Sequence, residues 1–508
     1  MRTIEKIPAF TCTRLPLALG LPLALALLAG CSLTPDYSVP DEARSWVYKE
    51  APALPQNQTG SWKQAQPAED QLRGQWWQVF ADPRLNQLEE QAALANPGLH
   101  AAAARLKQAR ALQRDARADR MPRVDAAFGP SRQRESPASL DLPDDGPANT
   151  FTLWRAELGI SYEVDLAGRI DAQVEAATAE LEKSGALYRT VLLALQADVA
   201  EHYFLIRELD TQLYVYRRTL ELRNDTYRLI KHRHDNGDAG ELDLVRAHSE
   251  LEAARSEALG VERNRASAEH ALAILLGLPP AKFSLEPQLL VAQDIAIPPG
   301  LPSSLLERRP DIAAAERAMA AANARVGIAK AAFFPKLELT AAGGFESSEL
   351  GNLFEWSSRT FLLGPLVGAA MTLPLFDGGR RQAGVDYSQA AYEEDAARYR
   401  EVVLKAFGEV EDNLALLRIM AEQSRAQQIA LAASERAAEL SHLQYREGSH
   451  TQLDTIDADR TMLTQQLATA RLNGDRARST VRLIRALGGG WEEALKQQHS
   501  IASNTQEE

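Results

Sequence analysis

Three places in the sequence carry residue types able to do chemistry. The first is Cys31, preceded by Leu28-Ala29-Gly30 and followed by Ser32. Small residues ahead of a cysteine at the end of an apolar stretch resemble a bacterial lipobox, in which the cysteine is lipidated and becomes the first residue of the mature protein. Ser32 stands where an Asp would resemble an inner-membrane retention signal, so outer-membrane sorting is favoured. The second is an acidic run, Asp454, Asp457 and Asp459. Positions i and i+3 share a helix face, which groups Asp454 with Asp457. Such a pair can gather cations, imitate the two carboxylates of a glycosidase, or simply solvate a helix. The third is His232 and His234, two apart beside a turn, with no further ligands at metal-binding spacing. Nothing resembles a nucleophile elbow, a phosphate loop or a zinc helix, so neither catalysis nor a bound metal is expected. The only attached group expected is the covalent lipid on Cys31.

The surrounding chain says where these residues work. Arg2, Lys6 and Arg14 form a basic start, and residues 15–29 are apolar but broken by Pro16 and Pro22. That stretch is short of the ~20 residues a membrane helix needs, so residues 1–30 read as a lipoprotein signal peptide. Cys12 would leave with it, and the one remaining cysteine cannot form an internal disulfide. No later segment is long and apolar enough for a transmembrane helix. The chain has 56 basic against 69 acidic residues, a net charge of −13. That balance argues against nucleic acid as a partner and suits a conduit that tolerates cations. With 45% hydrophobic and 25% charged residues, wholesale disorder is excluded.

The chain is one unit written twice. Asn96-Pro97-Gly98-Leu99 recurs as Arg309-Pro310-Asp311-Ile312, and Met121-Pro122 as Phe334-Pro335, both at an offset of 213. Gly168, Val199, Gly237, Leu242-Asp243 and Leu276-Gly277 then recur as Gly379, Val410, Gly448, Leu453-Asp454 and Leu487-Gly488 at an offset of 211. Each copy reads as helix, strand, strand, long helix, turn, helix. Trp154, Ala156, Leu158, Ile160, Tyr162 and Val164 alternate with polar residues or Gly159, the period of a sheet with one apolar face. Leu337, Leu339 and Ala341 repeat the pattern in the second copy. A soluble half-buried sheet would alternate in the same way. Strands of about ten residues with apolar and polar dyads also fit a transmembrane barrel. Four strands cannot close one, so if they span a membrane, several chains must share it.

The helices are long. Residues 169–236 contain no proline and would reach roughly 100 Å at 1.5 Å per residue. Leu192, Val199, Ile206, Leu213, Leu220 and Tyr227 recur every seven residues, a narrow coiled-coil seam. The following helix, 242–276, is about half as long, so a single partner cannot cover the rod.

Trp76-Trp77-Gln78-Val79-Phe80-Ala81-Asp82-Pro83-Arg84-Leu85, with Leu88, Ala93-Leu94 and Asn96, resembles the opening of the outer membrane factor family, the TolC/OprM-like proteins. The lipobox points to its lipoprotein (NodT-type) branch. Duplication, strand pairs and turn glycines extend the resemblance to Trp491. It implies an α+β, mostly α fold: a homotrimeric channel-tunnel with a shared 12-stranded transmembrane β-barrel, four strands per protomer, and a long periplasmic α-helical barrel. The expected organisation is a signal peptide (1–30), a lipid-anchored extended segment (31–75), two repeats (76–281 and 297–491) and a polar tail (492–508). Strands are expected at about 122–134, 150–165, 335–345 and 365–376. Long helices are expected at 169–236, 242–276, 380–447 and 451–487.

The resemblance further implies an efflux duct without enzymatic activity, partnered by a periplasmic adaptor, by an inner-membrane pump through that adaptor, and by outer-membrane lipid. It assigns the turns at Gly237 and Gly448 to adaptor docking, and Asp454 and Asp457 to an acidic ring at the periplasmic entrance. Asp243, facing Tyr445 and Arg446, resembles the links that hold the entrance closed. His450 replaces an Arg found there in TolC, which puts one such link in doubt. Trp154, Leu158, Ile160 and Tyr162 are expected to face lipid. A periplasmic adaptor lipoprotein would instead carry a single hairpin between small β-domains.

Overall fold

A computed structural model describes residues 33–38, 49–50, 74–134, 150–291, 295, 308–363 and 369–489. The expected signal peptide (1–30), Cys31, most of segment 31–75 and the expected tail 492–508 lie outside the described residues. After a short 3-10 turn, Trp76–Phe80, come α1 (Pro83–Ala95), α2 (Pro97–Ala118), β1 (Arg123–Arg134) and β2 (Thr150–Val164). Then follow α3 (Arg169–Asp235), α4 (Glu241–Leu275), α5 (Pro310–Ala331) and β3 (Lys336–Ser347). The chain continues through β4 (Arg359–Leu363), β5 (Ala369–Thr372), α6 (Arg380–Arg446) and α7 (Gln452–Ala486). Helices α2 and α5 both have 22 residues, α3 and α6 both 67, and α4 and α7 both 35. No helix is long and apolar enough to cross a membrane among the described residues.

Two compact units divide the chain. One holds the sheet and the helix ends that lead into it. Its strands run antiparallel in the order β1-β2-β3-β4, with β5 also paired to β3. Cross-strand partners share a face. Val124, Ile160 and Ala341 therefore line up on one side, as do Ala126, Leu158, Gly343 and Phe361. Phe128 at 66% and Leu158 at 58% exposure show that none of the described residues covers this apolar face. The opposite face is polar and cross-linked: Arg155 meets Glu346 at 2.7 Å, and Lys336 meets Glu163 at 3.1 Å.

The fourth strand departs from expectation. In place of one strand at 365–376 there are two segments, each hydrogen-bonded to β3, and the first begins at Arg359, ahead of the expected strand. Three consecutive apolar residues, Phe361-Leu362-Leu363, hide the period of two, and Gly364-Pro365 reads as a break. At the other end β5 stops at Thr372, two residues before Pro374, which has no N–H to give the ladder. Strand β3 runs past the expected 345 to Ser347, paired with Trp154.

The second unit is helical. Asp82 caps α1 by accepting from Arg84 N at 2.9 Å and Leu85 N at 3.2 Å, with Pro83 in the first turn. Its core joins Trp76, Trp77 and Phe80 to Leu85 and Leu88, and to Tyr203, Phe204 and Ile206 of α3. The heptad seam is fully buried at Val199 and Ile206 and only half-buried at Leu192, Leu220 and Tyr227. Helices α3 and α7 lie antiparallel, tied by Arg485 to Asp198 at 3.5 Å, Arg482 to Glu201 at 2.9 Å, and Arg478 to Glu208.

Candidate functional site at the hairpin turns

Each long helix folds back on its shorter partner through a glycine turn. Gly237 has φ +82° and Gly448 φ +77°, and a Cβ at either would meet nothing, so conformation rather than packing requires glycine. The two turns have the same hydrogen bonds. Gly237 N donates to His234 O at 2.9 Å and Asp238 N to Arg233 O at 2.8 Å; Gly448 N donates to Tyr445 O at 3.1 Å and Ser449 N to Gln444 O at 2.9 Å. Both are glycine C-caps that satisfy the last carbonyls of a helix.

The helices leaving the turns start differently. Gly240 gives α4 no side-chain cap. Thr451 and Asp454 form a capping box on α7: Thr451 N donates to Asp454 Oδ2 at 2.9 Å and Asp454 N to Thr451 Oγ1 at 3.4 Å. Hydrogen bonds from the Thr451 hydroxyl and amide hold the Asp454 carboxyl below the usual carboxylate range, so it stays ionised. Asp457, one turn on, is exposed, with Arg460 3.8 Å away. Asp459 turns toward α6, where its Oδ1 lies 2.8 Å from His442 Nε2.

Tyr445 finds its partner on the first hairpin, but the donor is Arg233, whose Nη1 lies 3.2 Å from the phenol oxygen. Asp243 is half-buried and Arg446 exposed. Within this chain neither makes a side-chain hydrogen bond among the described residues. Nearer the turns, the groups that join the hairpins carry no sequence signature. Arg223 donates to Glu250 O at 2.6 Å and its guanidinium lies 3.2 Å from the Glu250 carboxylate, which Arg460 of α7 also grips. Glu250 thereby connects α3, α4 and α7. A cavity of about 320 Å³ lies among these helices and α6, with Ile230, Ala247, Tyr445, Gln452, Thr455 and Ile456 in its wall. His232 and His234 are engaged in their own turn, His234 Nδ1 lying 3.0 Å from Ala239 O and His232 Nδ1 2.9 Å from Asn236 Nδ2. No group of three metal-ligating side chains is assembled among the described residues.

The sheet places Trp154, Leu158, Ile160 and Tyr162 on β2, on the uncovered apolar face. Cys31 lies outside the described residues.

Comparison with known proteins gives this geometry a family. The model of the outer membrane efflux protein family matches residues 88–278 and 301–489, once for each copy of the duplication. The toluene efflux pump outer membrane protein TtgC of Pseudomonas putida is 35% identical over 490 residues, 96% of this chain and 98% of that one. The cation efflux system protein CusC of Escherichia coli is 31% identical over 481 residues, covering 93% of this chain and 99% of that one. The solved structure of the outer-membrane channel OprN superposes with a TM-score of 0.80 at 29% identity, over 91% of this chain and all of that one. The chain belongs to the outer membrane efflux protein family.

Proposed function

We propose that the chain is the outer-membrane exit duct of a tripartite efflux system. Small molecules delivered by an inner-membrane pump through a periplasmic adaptor would pass along its interior without chemical change. One observation carries the reading: an antiparallel sheet with an uncovered apolar face and open edges. Among the described residues β1 pairs only with β2, and β4 and β5 only with β3. In hydrocarbon those edge N–H and C=O groups cannot go unpaired, so the edge of one copy must bond to the next. Three copies, the number the family resemblance implies, close a barrel of twelve strands, with β4 and β5 counted together as the fourth. Trp154, Leu158, Ile160 and Tyr162 would then face lipid, and the paired charges of Arg155, Glu346, Glu163 and Lys336 would face the lumen.

Gly237 and Gly448 present the turns to the adaptor. Asp454 and Asp457, repeated around a symmetric opening, form an acidic constriction that favours cations. Asp243 and Arg446 have opposite charge and no side-chain hydrogen bond among the described residues, which leaves them for a neighbouring copy. Lipidation of Cys31 would tether the protomer to the membrane that its sheet spans. The test is the state of the purified protein in detergent. A trimeric mass with a β-barrel signature in circular dichroism and ion conductance in planar bilayers is expected; a stable monomer without that signature would overturn the reading.

A further inference from the structure

Gly327 lies inside α5, where a glycine weakens a helix relative to alanine. The reason for it comes from the other end of the chain. Residues 33–38 run over α5 so closely that a Cβ at Gly327 would stand 2.9 Å from Thr34 Cα, and closer still to the Thr34 hydroxyl. One turn earlier Asn323, only 4% exposed, donates Nδ2 to Pro35 O at 2.8 Å. A glycine for close approach and an amide for a backbone carbonyl thus sit one turn apart on one helix face.

The duplication provides an internal control. Helix α5 matches α2 at an offset of 213, so Asn323 and Gly327 correspond to Arg110 and Arg114. Both arginines are exposed, whereas Asn323 and Gly327 are buried. The two copies differ at many positions of this helix, and at these two the second copy has the residues that meet the N-terminal segment.

We propose that the Asn323–Gly327 face of α5 is a dedicated seat for the mature N-terminus, and that it fixes where the lipid on Cys31 leaves the protein. The second half rests on the lipidation proposed above. Only Ser32 separates Cys31 from Leu33, and two residue steps reach at most about 7 Å. From Gly327 to the end of α5 at Ala331 is roughly 6 Å at 1.5 Å per residue, and β3 begins at Lys336. The seat therefore delivers the acyl chains at the level where helix gives way to strand. That is where the inner face of the membrane must lie if β3 crosses it, so the lipid and the sheet enter the bilayer at a common depth.

The experiment is hydrogen exchange on the full-length lipidated protein in detergent, with the mass of the N-terminal peptide reporting acylation separately. Peptides covering 33–38 should be protected in the wild type. Gly327→Leu and Asn323→Ala should each speed their exchange by about tenfold or more, the loss expected for roughly one hydrogen bond with its packing. Exchange in β2 and β3 should stay unchanged, and so should that of 33–38 in Arg114→Leu, the corresponding change in the first copy. Cys31→Ser, exported behind an unlipidated signal peptide, should keep the protection, because the seat belongs to the protein and not to the lipid. Equal protection in the wild type and both seat variants, or loss of protection in Cys31→Ser, would overturn the seat. Absence of acyl mass on Cys31 would overturn the lipid-positioning half and the lipidation reading together, while leaving the seat to stand on the exchange data.

Discussion

Glu250→Ala should loosen the two hairpins from each other. The substitution deletes the contacts with Arg223 at 3.2 Å and with Arg460, but spares the bond from Arg223 to the Glu250 carbonyl, which uses only backbone. The side chains of Glu250 and Arg223 are both 14% exposed, so this is not a surface pair of negligible worth. Deleting one partner of a fully buried pair costs about 3–5 kcal/mol. The retained backbone bond, and an Arg460 side chain that is 55% exposed, reduce that to about 2 kcal/mol per chain. Amide exchange around the turns should therefore accelerate roughly 30-fold, since every 1.4 kcal/mol is about tenfold in an equilibrium constant. Conductance in planar bilayers should rise as the entrance loosens. Glu250→Gln, which keeps an acceptor but not the charge, should fall between. Glu252→Ala is the control, because Glu252 pairs with Arg255 along its own exposed helix face. Unchanged exchange and conductance in Glu250→Ala, or an equal change in Glu252→Ala, would refute the assignment of Glu250 as a link between the hairpins near their turns.

Asp243→Ala should raise single-channel conductance if Asp243 pairs with a neighbouring copy; an unaltered conductance removes it from the gate. Asp457→Asn should lower cation selectivity, read as a smaller reversal potential across a salt gradient, because Asp457 is exposed at the turn and only distantly paired. Glu89 supplies a pH test. It is fully buried, neither carboxylate oxygen has a hydrogen-bond partner among the described residues, and burial raises its pKa well above the usual value. A group with a raised folded pKa contributes stability that is fully present below its unfolded pKa and is lost as pH climbs through the folded one. Glu89→Gln should therefore melt higher than the wild type above that window and close to it at pH ~4, below the unfolded carboxyl value; parallel melting curves at all pH values would refute this.

What the sequence made legible is what local chemistry punctuates. Gly237 and Gly448 end helices because their φ is positive, Pro97 and Pro310 open helices, and the fixed offsets between such residues betray the duplication. Alternation from Trp154 to Val164 was equally plain, since a strand bonded on both sides shows one apolar face. The fourth strand was not, because Phe361-Leu362-Leu363 breaks the alternation and Pro374 ends β5 early. Glu250 was invisible for another reason. A 35-residue helix with acids all along it offers many candidate partners, and only the register between hairpins selects the one that meets both Arg223 and Arg460. Gly327 carries no local signal either, since its reason is a contact with Thr34, far away in the chain.

The two turns share a backbone but not a division of labour, and this bears on how the acidic residues can be read. Asp454 is at once the acid of a capping box and a member of the proposed ring. Its low pKa follows from the Thr451 bonds that hold the start of α7, so the charge a cation would meet is secured by the same contacts that keep the helix from fraying. Any substitution of Asp454 must then change helix start and entrance charge together. Its counterpart in the first copy, Asp243, follows an N-cap glycine with no side chain to share and has no such double duty. Asp457 also stands clear of the cap. A charge effect on conduction can therefore be separated from a folding effect only through Asp457 and Asp243, while Asp454 reports the sum of both.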